Sequence, residues 1–177
     1  MSRLLPLSAA LLLAFVSTAF AHGPTPQKVE ETIAIKAPPD VVWKVVKDFA
    51  GLSGWHAAVA SCAGEGGNGN GAMRTFTLKS GGELVDSLDE YDEAAKSYSY
   101  RLAKENVEAF PVSFYSDTLT VKAAGDGSEV EWIGRFYRGD TGNYPPATLD
   151  DEAAMAAMQN FFRDGLASLK RKVESTR

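Results

Sequence analysis

Residues 150–173 read DDEAAMAAMQNFFRDGLASLKRKV, and the spacing of their apolar side chains dictates what the rest of the chain must supply. Met155, Met158, Phe162, Leu166, Leu169 and Val173 recur every three or four residues, one apolar stripe along a helix of roughly six turns. Asp150 to Glu152 lie at its start and Lys170 to Lys172 at its end, both favourable to the helix dipole. Thr148 with Asp151 three residues on is predicted to form a capping box. A long helix with one apolar face needs a sheet to lie against.

The upstream chain supplies one. Runs at 59–63, 72–79, 83–91, 97–104, 112–123 and 129–138 read as strands. EGGNGNG, SGG, DEAAK, a Phe110-Pro111 break and AGDGS separate them. Connections this short make successive strands antiparallel. Val29 to Lys36 alternates and predicts another strand, preceded by an extended arm, HGPTPQK, at 22–28. APPD at 37–40 opens a short helix with Val42, Val45, Val46 and Phe49 on its buried face and Trp43 bordering it. The expected architecture is α+β, a curved antiparallel sheet wrapped around the C-terminal helix, as one domain over 29–177.

Arg3, the apolar stretch Leu4 to Phe20, and Ala19 and Ala21 have the order of a secretory leader at 1–21. No second run is long enough to be a membrane span. The chain has 177 residues and a formal charge of −5. Loss of Arg3 with the leader makes this −6, a sign that disfavours nucleic acid and anionic lipid as partners. Cys62 is the only cysteine, so no internal disulfide exists. Its VASCAG setting predicts a buried strand thiol.

Cleavage after Ala21 would leave His22 as the first residue. Its amino group and ring nitrogen, with His56 as a second imidazole, form the smallest Cu(II) set the chain could offer. Nothing in the sequence forces the two together, and no metal site or cofactor is expected. Gly64, Gly66 and Gly69 match G-x-G-x-x-G, but MRTFTL follows as a strand where a dinucleotide site needs a helix. The segment is expected to be a mobile hairpin loop. Asp86, Asp89, Glu90, Asp92 and Glu93 read as a solvated acidic edge rather than paired catalytic carboxylates.

Strand phase singles out the interior. Tyr98, Tyr100 and Leu102 point one way; so do Tyr115, Leu119 and Val121, and Val130, Trp132, Gly134 and Phe136. The same phase turns Arg74 (with Phe76 and Leu78), Asp117 and Asp86 inward. A buried charge must be paired. These residues either form an ion pair in a plain core or anchor the polar head of a ligand.

The order of elements, opened by APPDVVWKVVKDFAGLSGWHAAV and closed by the long helix, resembles the START-like or SRPBCC superfamily of helix-grip (Bet v 1-like, polyketide cyclase-like) domains. HGPTPQKV, YSYRL, FPVSFYSDTLTV, FYRGDTGNYPPATLDDEAAMAAM and GLASLK further resemble MxaD-type periplasmic accessory proteins of methanol oxidation. Ala57 follows His56 where that pattern has a proline, so the Trp55–Val59 loop is expected to be less constrained. The resemblance implies a cavity between sheet and helix, for which Arg74, Phe76, Tyr100, Tyr115, Asp117, Trp132 and Phe136 are the candidate lining. It also implies a periplasmic, non-catalytic helper that brings methanol dehydrogenase together with its cytochrome c acceptor. The alternatives are a carrier or sensor of a small apolar ligand, or a cyclase-like enzyme. Intact-mass measurement of the exported protein is expected to show a chain beginning at His22; retention of residues 1–21 would overturn the leader.

Overall fold

A computed structural model describes residues 23–176; the leader expected at 1–21 and His22 lie outside them. In chain order the elements are β1 (Gln27–Ile35), α1 (Pro39–Val46), a 3-10 helix (Phe49–Gly54), β2 (Val59–Glu65) and β3 (Met73–Leu78). β4 (Glu83–Asp92), β5 (Ser97–Lys104), β6 (Val112–Ala124), β7 (Gly127–Arg138) and α2 (Asp151–Ser175) follow. The seven strands form one antiparallel sheet in the order β1-β7-β6-β5-β4-β3-β2. The helix-grip expectation holds: α2 lies across β1, β7 and β6.

Met158, Phe162, Leu166, Leu169 and Val173 are buried, as the stripe predicts, while Met155 is only partly so. Ala154 and Gly165 complete the buried face. Two glycines let helix and sheet close. A Cβ on Gly134 of β7 would lie 2.8 Å from Met158 Cε and 2.9 Å from Phe162 Cζ. A Cβ on Gly165 would lie 2.6 Å from the His56 ring and 2.9 Å from Trp132.

Several local expectations change. Asp150, not Thr148, caps α2, its carboxylate accepting the Ala153 N–H at 2.9 Å. β1 begins at Gln27, so the arm is shorter than predicted. Trp43 joins the buried face of α1 rather than bordering it, because its ring reaches Tyr91 and Tyr98 at 5.6 and 6.0 Å, while Val45 is only partly buried against the core. Cys62 is only half-buried. The glycine loop is pinned rather than free: Asn68 donates to the Lys47 carbonyl at 2.8 Å and accepts the Phe49 N–H at 3.0 Å.

Gly165 sits mid-helix, where alanine ordinarily stabilises by about 1 kcal/mol. Here the new methyl meets ring atoms that are themselves packed, so the sign should invert. Gly165→Ala is expected to lower stability by about 1–3 kcal/mol, read as a reduced urea midpoint. An unchanged or raised midpoint would show that the helix can lift off His56 at no cost.

Candidate functional site

Arg74 and Asp86 face each other across β3 and β4, and their side chains are almost wholly buried, at 2% and 0% exposure. Arg74 Nε donates to Asp86 Oδ2 at 2.8 Å, and Nη2 approaches the same oxygen at 2.8 Å. Nη1 donates to the Phe49 carbonyl at 3.3 Å. Tyr115 O–H donates to the other Asp86 oxygen. The guanidinium carbon stands 4.3 Å from the ring centroids of both Phe49 and Tyr100. Burial opposes the arginine charge, but the Asp86 carboxylate outweighs it and holds the guanidinium above its usual value. Burial also pushes Asp86 up, and Arg74 and Tyr115 pull it back. With two guanidinium N–H groups and a phenol converging on it, the carboxyl is ionised.

Asp117 is the odd member. It is buried in the same space, and its Oδ1 has no hydrogen-bond partner. Burial first, and the Asp86 charge second, raise its pKa well above the usual carboxyl value and so favour the protonated acid. Trp132 Nε1 donates to Tyr100 O–H at 3.1 Å, which joins the indole to this cluster from the β7 side.

Of the seven predicted lining residues, Arg74, Phe76, Tyr100, Tyr115 and Asp117 line one internal cavity. Trp132 and Phe136 do not. Trp132 stacks on Phe162 at 4.4 Å and 8°, and Phe136 is buried in the core. Phe110, Met158, Phe161, Leu78, Leu84 and Asp86 complete the wall. The readable signal for Asp86 was its shared phase with Leu84 and Leu88 within the acidic run. Asp86 therefore leaves that solvated edge. Asp89 also leaves it, half-buried and 2.6 Å from Arg101. The cavity holds about 10 Å³ of free space, the size of one water site.

His56 is buried rather than placed on an open loop. Its Nδ1 accepts the Ala58 N–H at 3.2 Å, so Nε2–H donates to the Phe161 carbonyl at 3.0 Å. Ser168 Oγ donates to the Trp55 carbonyl and accepts the Ala57 N–H. The loop expected to be loosened by Ala57 is thus fastened to α2. Both His56 nitrogens are engaged, which removes the second imidazole of the weak copper alternative; His22 lies outside the described residues. Among the described residues, no group of three or more His, Cys, Asp or Glu side chains is arranged to hold a metal, and no helix is long and apolar enough to cross a membrane.

The comparisons agree with this geometry. A family model for polyketide cyclase / dehydrase and lipid transport proteins matches residues 26–174. The chain belongs to that family. Among solved structures, the cyclase-family fold recurs in the protein XoxI of Bacillus cereus, at 25% identity and a TM-score of 0.69, over 82% of this chain and 94% of that one. A protein from Nitrosospira multiformis matches at 25% identity and 0.69, over 85% of this chain and 100% of that one. The Zhui aromatase/cyclase of Streptomyces sp. R1128 is 18% identical with a TM-score of 0.69, over 85% and 94%, a likeness of fold alone. No curated protein matches the sequence.

The two unusual titrating groups should act on stability with opposite signs. Burial lowers His56 from 6.5 to about 4, partly opposed by its bond to the Phe161 carbonyl. The unfolded chain binds that proton first, so stability falls by on the order of 3 kcal/mol as pH drops from 6.5 to 4. Asp117 holds its proton longer when folded, so its contribution is complete below 3.8 and is lost as pH rises from there through its raised folded value. Asp117→Asn is therefore expected to raise the urea midpoint at pH 7 relative to the parent and to remove this decline. A parent-like profile in the variant would show Asp117 to be ionised in the fold.

Proposed function

We propose that this chain is a periplasmic accessory of methanol oxidation, without chemistry of its own, that promotes contact between methanol dehydrogenase and its cytochrome c acceptor. The observation that carries this reading is the filled interior. A carrier of a drug-sized ligand needs roughly 300–1,000 Å³, against about 10 Å³ of free space beside Arg74 and Asp117. With that space closed, the surface is the part of the molecule able to act. The resemblance of the arm and of the YPPATLDDEAA segment to MxaD-type proteins supplies the partners. The leader-like first 21 residues supply the compartment.

An acidic hollow supports the reading physically. Glu90, Asp92, Ser97, Ser99 and Thr118 line a depression of about 290 Å³ on the sheet. Such a surface steers a basic partner, most strongly at low salt. The carrier reading draws on the unpartnered Asp117 oxygen and on the lipid transport in the family's description. It requires Phe110, Met158 and Phe161 to move out of the way. A cyclase-like activity would need the same opening.

In a reconstituted mixture the protein is expected to raise the rate of cytochrome-linked methanol oxidation while turning over no methanol alone. The enhancement should shrink as salt rises from about 10 to 150 mM, where the Debye length falls from roughly 30 to 8 Å. Glu90→Lys, at an exposed position without an ion-pair partner among the described residues, should lose roughly half of the low-salt enhancement. No enhancement at any salt would leave the carrier reading in front.

A further inference from the structure

The carboxyl of Asp117 projects inward from β6 to a place where a charge is poorly received. Its Cα pairs with Tyr100 of β5 on one side and with Gly134 of β7 on the other. Gly134 leaves space on the β7 face, and three groups converge there. A Cβ at that position would lie 2.8 Å from Asp117 Oδ1, 2.8 Å from Met158 Cε and 2.9 Å from Phe162 Cζ. The buried oxygen that has no hydrogen-bond partner among the described residues thus faces a thioether methyl and a ring edge of α2. The cavity that Asp117 lines together with Met158 and Phe161 has room for one water.

The groups around Asp117 supply little to hold it ionised. Arg74, from β3, is committed to Asp86 through Nε and Nη2 and to the Phe49 carbonyl through Nη1. Asp86, from β4, adds a negative charge of its own. Tyr98 and Tyr100 from β5, and Tyr115 from β6, are pushed above the usual phenol value by burial and stay neutral. The Tyr100 hydroxyl eases the Asp117 charge without cancelling it, and the Tyr115 hydroxyl is spent on Asp86. β7 presents Trp132 and Gly134, and the buried face of α2 is Ala154, Met158, Phe162, Gly165, Leu166, Leu169 and Val173, so neither adds a titratable group. His56, which donates to the Phe161 carbonyl, is neutral above its lowered value of about 4. The protonated acid suits this corner and the carboxylate does not.

We infer that Asp117 is a proton-operated gate on the interior: when its carboxyl loses the proton, water enters the cavity and Met158 moves aside with the turn of α2 that carries it. Keeping an ionised carboxylate dry and unpaired costs more than hydrating it. Met158 is the neighbour that yields most readily, because its side chain is unbranched and has three rotatable bonds. Phe162 is stacked on Trp132 at 4.4 Å, and Trp132 is bonded in turn to Tyr100. The moving turn has fixed ends. Asp151 contacts Arg138 at 3.1 Å before it, and after it His56 holds the Phe161 carbonyl and Arg163 meets Glu31 at 2.8 Å. Opening is therefore local to residues 154–160, and the rest of α2 stays seated on the sheet.

The gate concerns the interior rather than the surface, so it goes beyond the methanol-oxidation reading and does not depend on it. The test is NMR on protein with carbon-13 labels on its methionine methyls and aspartate carboxyls. The titration runs from about pH 5 to about pH 9, above the range in which His56 gains its proton. Met158→Leu and Asp117→Asn assign the two signals. The expected result is a Met158 methyl that leaves the shielding of the Phe162 ring along the same curve as the Asp117 carboxyl titrates, while Met73 and Met155 stay in place. Amide exchange over residues 154–160 should rise about tenfold or more above that of Asp117→Asn at the upper end of the range. In Asp117→Asn the Met158 signal should hold still throughout. Both curves are recorded in the parent chain, so a poorly folded variant does not decide the outcome. A carboxyl that titrates with Met158 unmoved would overturn the inference. So would a Met158 shift as large in Asp117→Asn, or an Asp117 carboxyl that does not titrate within the range.

Discussion

The interior depends on one buried charge pair. Removing an arginine and a carboxylate from water costs several kcal/mol for each ion, and only excellent geometry offsets it. Arg74 and Asp86 have that geometry: a two-nitrogen contact, a tyrosine on the second carboxylate oxygen, a backbone carbonyl and two aromatic faces. The partners come from β3, β4, β5, β6 and the 3-10 helix. The pair is therefore also a constraint on how those elements register, because a slip of one residue would turn Arg74 to one face and leave Asp86 alone on the other.

The same pair explains why the space between sheet and helix is nearly closed. Charges in a low-dielectric interior need close donors, and the side chains that supply or cover them are large. Phe49 and Tyr100 face the guanidinium, Tyr115 holds the carboxylate, and Phe161 and Phe110 line the remaining gap. Asp117 is left beside a gap one water wide, with burial favouring its protonated form. Family membership brings a ligand-binding fold; these particular side chains occupy its interior.

Much of this was legible. The six-residue stripe of α2 and the period-two strands gave the architecture, because burial on one face leaves an unambiguous mark in each repeat. The inward phase of Arg74 and Asp117 was equally plain. What strand phase could not say is how far two inward residues reach. Trp132 shares its phase with the cavity residues but lies flat on Phe162, and Phe136 is simply core. His56 was missed because its neighbours come from α2, more than a hundred residues away. One clue was present: a glycine inside an apolar helix face, at 165, marks a close approach by something bulky. The bulge in β6, where Ser113 pairs with Tyr137 and Ser116 with Arg135, left no such mark, since an extra residue in a strand looks like any other until its partner is known.

The pairing of β1 with β7 has a consequence for the order of events during folding. Ile35 meets Ser128, and Gln27 meets Phe136, so the first strand made is the neighbour of the last. A chain emerging N-terminus first, from a ribosome or through a membrane, carries β1 with an open edge until the end of β7 has followed. Loop closure over that distance precedes any reward from the contacts it allows, which slows folding relative to local pairings such as β3 with β4. The hairpins from β2 to β7 can assemble as each strand appears. Closure of the sheet, and the seating of α2 across β1, wait for the C-terminal third of the sequence.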